Sequence, residues 1–256
     1  AVYQSYRNRN PYDVDGDSFS EIGKLNMNTF GLRAYYRPTQ FSRLNIEYHT
    51  TNEFRRGGNK FDLEPFESDI TEQTKHVINS GGLTYDLFWK EYKHKLSFFA
   101  SSQHVDRNSY YGAQQDPNAY GKTKDLTFVG GGMYVGNFDK VLFSPATFTA
   151  GMEYQHNNMH DIMAGYNRDL EQKVRIASAF FQNEWKMNDF TLLAGFRLDD
   201  HNLIDNLIFS PRVNMLYKPS DAFQGRLTWS TGFRAPQAYD EDLHITAVGG
   251  EGVLIH

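Results

Sequence analysis

Apolar and polar residues alternate one by one along most of this chain. In Arg43-Leu44-Asn45-Ile46-Glu47-Tyr48-His49 the even positions are apolar and the odd ones polar. Gln224 to Ser230 and Arg212 to Met215 repeat the pattern, and Thr191 to Leu198 keeps it with one break at Leu193. A helix would return its apolar residues every three or four positions, so a period of two predicts half-exposed strands. Ten are predicted, at 29–37, 42–53, 74–88, 94–105, 125–136, 146–157, 173–186, 190–199, 209–217 and 223–233.

The connections between them fall into two kinds. Pro38-Thr39-Gln40-Phe41, Lys90-Glu91-Tyr92-Lys93, Met187-Asn188-Asp189 and Lys218-Pro219-Ser220-Asp221 have tight-turn composition, and Asn137 to Pro145 is a longer member of the set. Between these lie long polar connections at 54–73, 106–124, 158–172 and 200–208, and the tail from 234. Short and long alternate without exception. An antiparallel up-and-down barrel crossing a membrane does this, with short periplasmic turns and long outer loops.

Aromatic side chains gather near the short turns, at Tyr35, Tyr36, Phe41, Tyr85, Phe88, Trp89, Tyr92, Phe138, Trp185, Phe190, Tyr217 and Phe223. Amphipathic rings favour the headgroup level of a bilayer. The polar strand positions carry Arg43, Glu47, Lys95, Glu153, Arg197, Arg212 and Arg226, which cannot face lipid and are expected to face water or a polar plug. Gly81-Gly82, Gly130-Gly131-Gly132 and Gly136 sit inside strands and are read as wall curvature.

Composition narrows the function class. The chain has 256 residues, with 26 basic and 31 acidic side chains giving a net charge of -5, so nothing favours nucleic acid. It has no cysteine, which excludes zinc–thiolate sites, disulfides and thiol nucleophiles. No apolar run approaches the roughly 18 residues of a membrane helix, which leaves a transmembrane barrel open. Ala1-Val2-Tyr3-Gln4-Ser5 has no signal-peptide pattern and no initiating Met, so an interior segment of a longer protein is expected.

Ser210-Pro211-Arg212-Val213-Asn214-Met215-Leu216-Tyr217-Lys218-Pro219, then Leu227-Thr228-Trp229-Ser230-Thr231-Gly232-Phe233-Arg234-Ala235-Pro236, resembles the strand–turn–strand and signature box of TonB-dependent outer-membrane receptors. Phe180 to Trp185 and Leu193 to Asp199 are similar to middle-barrel strands of that family. The resemblance implies an all-β fold: an antiparallel up-and-down transmembrane β-barrel, here an open segment of about ten strands of a larger, 22-stranded barrel. Residues 1–256 would then be a partial receptor barrel, without plug domain or closing carboxy-terminal strands.

The family's activity would be energy-coupled import across a Gram-negative outer membrane. A TonB complex would act through the absent plug on an iron-siderophore, haem or cobalamin bound by the outer loops. Outer-membrane lipid and lipopolysaccharide are implied partners, with a surface lipoprotein as a further one. A passive porin-like channel is the alternative.

Candidate ligand-binding residues follow from position. Arg234 stands where a strand leaves the wall, and corner chemistry explains it as well as ligand contact does. Gln237, Tyr239, Asp240, Glu241, Asp242 and His244 lie further into that loop. His244 is either a haem ligand, as loop histidines are in haem-importing relatives, or a solvated side chain. Arg55 and Arg56 on another loop suit anionic ligands, lipopolysaccharide phosphates or solvent.

Asp13, Asp15, Asp17 and Glu21 form an oxygen-rich loop that departs from an EF-hand, since Lys24 stands where the bidentate Glu should be. A looser calcium site and a solvated acidic loop are its two readings. No cofactor is otherwise required. Met152, His156, Met159, His160 and Met163 offer soft donors that would suit copper. No nucleophile elbow or triad spacing appears, and Ser102 and His104 share a face with Leu96, Phe98 and Ala100, so an enzyme is not expected.

Overall fold

The structure is a computed structural model that describes residues 1–234. It contains β1 (Val2–Arg9), β2 (Ser20–Tyr36), β3 (Ser42–Gly58), β4 (Ile70–Trp89), β5 (His94–Ala113) and β6 (Tyr120–Val141). These continue into β7 (Ser144–Met163), β8 (Arg168–Lys186), β9 (Phe190–His201), β10 (Ile208–Ser220) and β11 (Phe223–Ser230). All eleven form one sheet in sequence order, each strand antiparallel to the next. Among the described residues β1 and β11 are open edges, so the sheet is an unclosed stretch of wall.

Residues directly opposite on neighbouring strands share a face, so the register assigns every side chain. One lateral row runs Ile46, Leu83, Ala100, Gly130, Tyr154, Ala177. The next runs Asn45, Thr84, Phe99, Gly131, Glu153, Ser178, Asp199. The seven charges expected on the polar face all fall on the second of these faces, called inner below.

Burial is inverted relative to a water-soluble sheet. Met152 is 71% exposed, Leu227 67% and Phe209 59%, while Asp161 and Asp199 are 1% and 2% exposed. A continuous apolar face with no layer packed on it needs lipid as its solvent. On β9 this face reads Phe190, Leu192, Ala194, Phe196, Leu198 before reaching Asp200, a height close to the roughly 9–11 residues that cross a bilayer.

The expected aromatic girdle forms below it. Trp89 stacks on His94 at 5.4 Å, Phe143 on Trp185 at 5.7 Å and Phe190 on Tyr217 at 4.4 Å. Tyr92 packs on Phe41 and Phe88 and donates to the Gln40 carbonyl at 2.8 Å, joining two adjacent turns.

A polar side chain without a partner interrupts the lipid face. Asn183 lies opposite Phe148 and Ala194, is 2% exposed, and neither its Nδ2 nor its Oδ1 has a partner. An unpaired buried amide costs roughly 1–3 kcal/mol. Asn183→Leu should therefore stabilise the folded barrel by about that amount, read from urea unfolding in liposomes. No gain would mean that the amide finds a partner in the bilayer.

On the inner face, glycines lie beneath rings. Tyr3 is opposite Gly31, Phe99 opposite Gly131 and Phe180 opposite Gly151. A methyl group on Gly131 would lie 2.8 Å from Phe99 Cζ, and one on Gly151 would lie 2.5 Å from Phe180 Cζ. At Gly131 the Met152 carbonyl oxygen lies closer still to where a methyl would stand, and closes the space together with the Phe99 ring.

The strands outnumber and outlast the expectation. β1 was not foreseen, and β5 and β6 run to Ala113 and from Tyr120 through a region expected to be loop. Above the bilayer both faces of the ladder meet polar surroundings, so pairing continues where apolar alternation stops. β1, exposed throughout, is an open edge of the described sheet.

Candidate functional site

The strands of 17 to 22 residues from β2 to β8 rise well beyond what a bilayer requires, and their upper ends carry the candidate site. Three outer loops there are locked together. Gly165 N–H donates to the Asn118 carbonyl at 3.0 Å, Gln114 N–H to the Asp69 carbonyl at 2.9 Å, and Tyr166 Oη to the Tyr111 carbonyl. Tyr110, fully buried, donates to the Asp116 carbonyl at 2.9 Å and meets the Tyr120 ring edge-on at 4.8 Å. Asp69 ties Lys60 at 2.6 Å and Asn59 at 2.8 Å, and the bond from Lys60, then that from Asn59, holds its carboxyl below the ordinary range. Burial pushes the Tyr166 phenol up.

Arg55 and Arg56 meet different fates in this rim. Arg56 is 6% exposed and turns into its own loop, donating to the carbonyls of Leu63 at 2.8 Å and Lys60 at 3.1 Å and to Ser68 Oγ at 2.9 Å. Its guanidinium therefore organises residues 59–69 rather than reaching outward for an anion. Arg55 is exposed and forks onto Glu53, with bonds of 2.7 and 3.1 Å.

Below the rim, the inner face carries a lateral row that sequence reasoning missed. Glu53 stands opposite His76, His76 opposite Arg107, Arg107 opposite Thr123, and Thr123 opposite Asp161. Thr123 Oγ1 donates to Asp161 Oδ1, and Arg107 donates to Thr123 Oγ1 at 3.0 Å and to Asp161 at 3.3 Å. Arg168 Nε approaches the other Asp161 oxygen at 3.2 Å, within ion-pair range but not aligned for a hydrogen bond. One buried carboxylate on β7 thus holds two guanidiniums, one from β5 and one from β8.

Lower on the same face, Arg197 donates to Glu153 at 2.8 Å, Asp199 at 2.7 Å and Ser178 at 2.7 Å. Lys95 pairs with Asp86 at 3.1 Å and Arg33 with Glu47 at 2.9 Å. These inner charges brace the wall across strands as well as facing the bore. An open concavity of about 630 Å³ lies over Arg197, Arg212, Phe180, Ser230 and Phe233.

The remaining expectations sort cleanly. Arg234 is exposed at the end of the described chain, whereas Gln237, Tyr239, Asp240, Glu241, Asp242 and His244 lie outside the described residues. The acidic loop does converge: one carboxylate oxygen from each of Asp13, Asp15, Asp17 and Glu21 lies within 4.8 Å of the others. Backbone N–H groups of Gly16 and Ser18 bond Asp13, and that of Val14 bonds Glu21. These carboxylates could hold a hard cation. The soft donors do not converge, because alternation along β7 puts Met152, His156 and His160 on the lipid-side face and Met159 and Met163 on the inner one. Ser102 and His104 sit on the lipid-side face, opposite Phe128 and Leu126.

Residues 1–250 match the family described as TonB dependent receptor-like, beta-barrel. Among solved structures, the siderophore receptor PirA from Pseudomonas aeruginosa superposes with a TM-score of 0.70 at 16% identity, over 93% of this chain and 37% of that one. PirA from Acinetobacter baumannii gives 0.72 at 17% identity, over 92% and 38%. The ferric enterobactin receptor PfeA from Pseudomonas aeruginosa gives 0.67 at 15%, over 90% and 36%. At these identities the likeness shows the fold, and the chain spans less than two fifths of each receptor's length. No curated protein matches the chain by sequence.

Proposed function

Because the chain belongs to the TonB-dependent receptor-like β-barrel family, whose barrels stand in the outer membrane of Gram-negative bacteria, we propose that it forms wall and outer rim of a receptor importing a ferric chelate. The observation that carries this reading is the pairing of a lipid-solvated outer face with an inner face dense in ion pairs. A wall of this kind suits a polar plug in its bore, which would couple uptake to a TonB complex. The structures it superposes on include receptors named for siderophores and for ferric enterobactin, which favours iron chelates over haem and cobalamin.

The rim bonds of Asp69, Tyr110 and Tyr166 support a preformed outer surface rather than separate mobile loops. Ligand contact falls in this reading to the exposed Arg55 and Arg234 and to the residues from Gln237 to His244. Deleting the gene should abolish growth on one ferric siderophore as sole iron source, and disabling TonB should do the same. Uptake that continues without TonB would instead identify a passive channel.

In the same reading Asp13, Asp15, Asp17 and Glu21 take calcium, on the strength of their convergence. Calcium at about millimolar concentration, the range of extracellular sites, should then slow proteolysis at residues 10–19. Unchanged cleavage would remove the ion from the account.

A further inference from the structure

We propose that the lipid-side face of β1–β4, just above the apolar belt, is a docking surface for the saccharide of an outer-leaflet glycolipid. The proposal goes beyond import and does not depend on it. On this face the continuous apolar run ends at Phe30 on β2, Tyr48 on β3 and Gly81 on β4, and above it Phe54 and Val77 stand singly among polar neighbours. Above them stand Gln4 and Tyr6 on β1, Asn26 and Asn28 on β2, Asn52 on β3 and Asn79 on β4. Tyr6, Asn28 and Asn52 form one lateral row, and Gln4, Phe30, Thr50 and Asn79 form the next.

The patch is uncharged in a chain with 22% charged residues. Further round the same face, β6 and β8 carry Lys122, Lys124, Glu171 and Lys173 at comparable positions. A phosphate would be met by guanidinium or ammonium groups, which stand only at the upper margin, as Lys24, Lys75 and Arg56, the last turned into the 59–69 loop. Neutral amides instead match hydroxyl groups, since each offers two donors and two acceptor positions.

Little of that capacity is used internally. Gln4 donates to Asn28 at 3.3 Å, Asn26 to Tyr6 Oη at 3.4 Å, and Tyr48 Oη to Asn79 at 2.8 Å. Beside the amides, the rings of Tyr6, Phe30 and Tyr48 are 62%, 40% and 41% exposed. Polar edges beside flat ring faces suit the hydroxyl and C–H surfaces of a sugar. Continuity with the belt names the source: a lipid whose acyl chains lie on Leu32 and Ile46 lifts its sugars to this height.

The test uses the full-length receptor and two probes, lipopolysaccharide with a complete core and deep-rough lipopolysaccharide stripped of core sugar. Asn28→Ala with Asn52→Ala should weaken binding of the complete form about tenfold, as the loss of one or two net hydrogen bonds implies. Deep-rough lipid should bind both proteins alike and more weakly than complete lipid binds the wild type. Asn108→Ala, on the same face of β5, should leave complete-core binding unchanged, and heat-modifiable migration should show that every variant is folded. Equal affinity of the wild type for both lipids, or an unaffected double variant, would overturn the proposal and leave the face to solvent or to a protein partner. Neither result bears on TonB-dependent uptake, so the two readings fail separately.

Discussion

Ala179→Arg is expected to destabilise the barrel by roughly 2–4 kcal/mol, the cost of a basic side chain near the bilayer midplane. Ala179 lies on β8 between Met152 and Leu198, with Phe181 below it and Ala177 above on the same face. Its direct neighbours on this face are apolar, and the nearest acid, Asp200, stands one position higher opposite Ala177, at the edge of the belt. Gln182→Arg, on the inner face of the same strand, should change stability by less than about 1 kcal/mol, as surface substitutions do. Both are read from urea unfolding in phospholipid liposomes. Equal losses at the two positions would mean that the faces are assigned the wrong way round.

Asp161→Leu should have an effect as large but in a different place. The carboxylate is 1% exposed and holds Arg107 and Arg168, whose side chains are 25% and 20% exposed. Removing one partner of a buried ion pair costs about 3–5 kcal/mol, and the partial exposure of both arginines points to the lower end. The loss should appear as faster hydrogen exchange in the upper parts of β5, β6 and β7, while the belt strands below keep their protection. Replacing Arg107 and Arg168 by Leu as well should recover most of it, because well-packed apolar groups often replace a buried triad without loss. Uniform acceleration down to the belt would show that wall and rim unfold as one unit.

These two residues also mark where the sequence is legible. The environment of Ala179 could be read from period-two alternation, because lipid on one side and a polar bore on the other impose it. That of Asp161 could not. Its partner Arg107 lies 54 residues away, and the two meet only through the accumulated register of the hairpins between them. The upper ladders escaped notice for a related reason, since polar surroundings on both faces remove the contrast that reveals a strand. Arg56 was recognised as a rim cation, but its turn into the 59–69 loop depends on carbonyls that only the folded loop presents. The acidic loop was legible because its bonds are local, spanning two to seven residues.

The ring-over-glycine pairs of the inner face set the clearance of the bore. Where Phe99 covers Gly131 and Phe180 covers Gly151, the ring occupies the place of the missing side chain instead of projecting past it. At those rows the two facing positions present one side chain to the inner surface instead of two. A β-branched residue at either glycine would tip its ring inward and narrow the passage without altering a single charge.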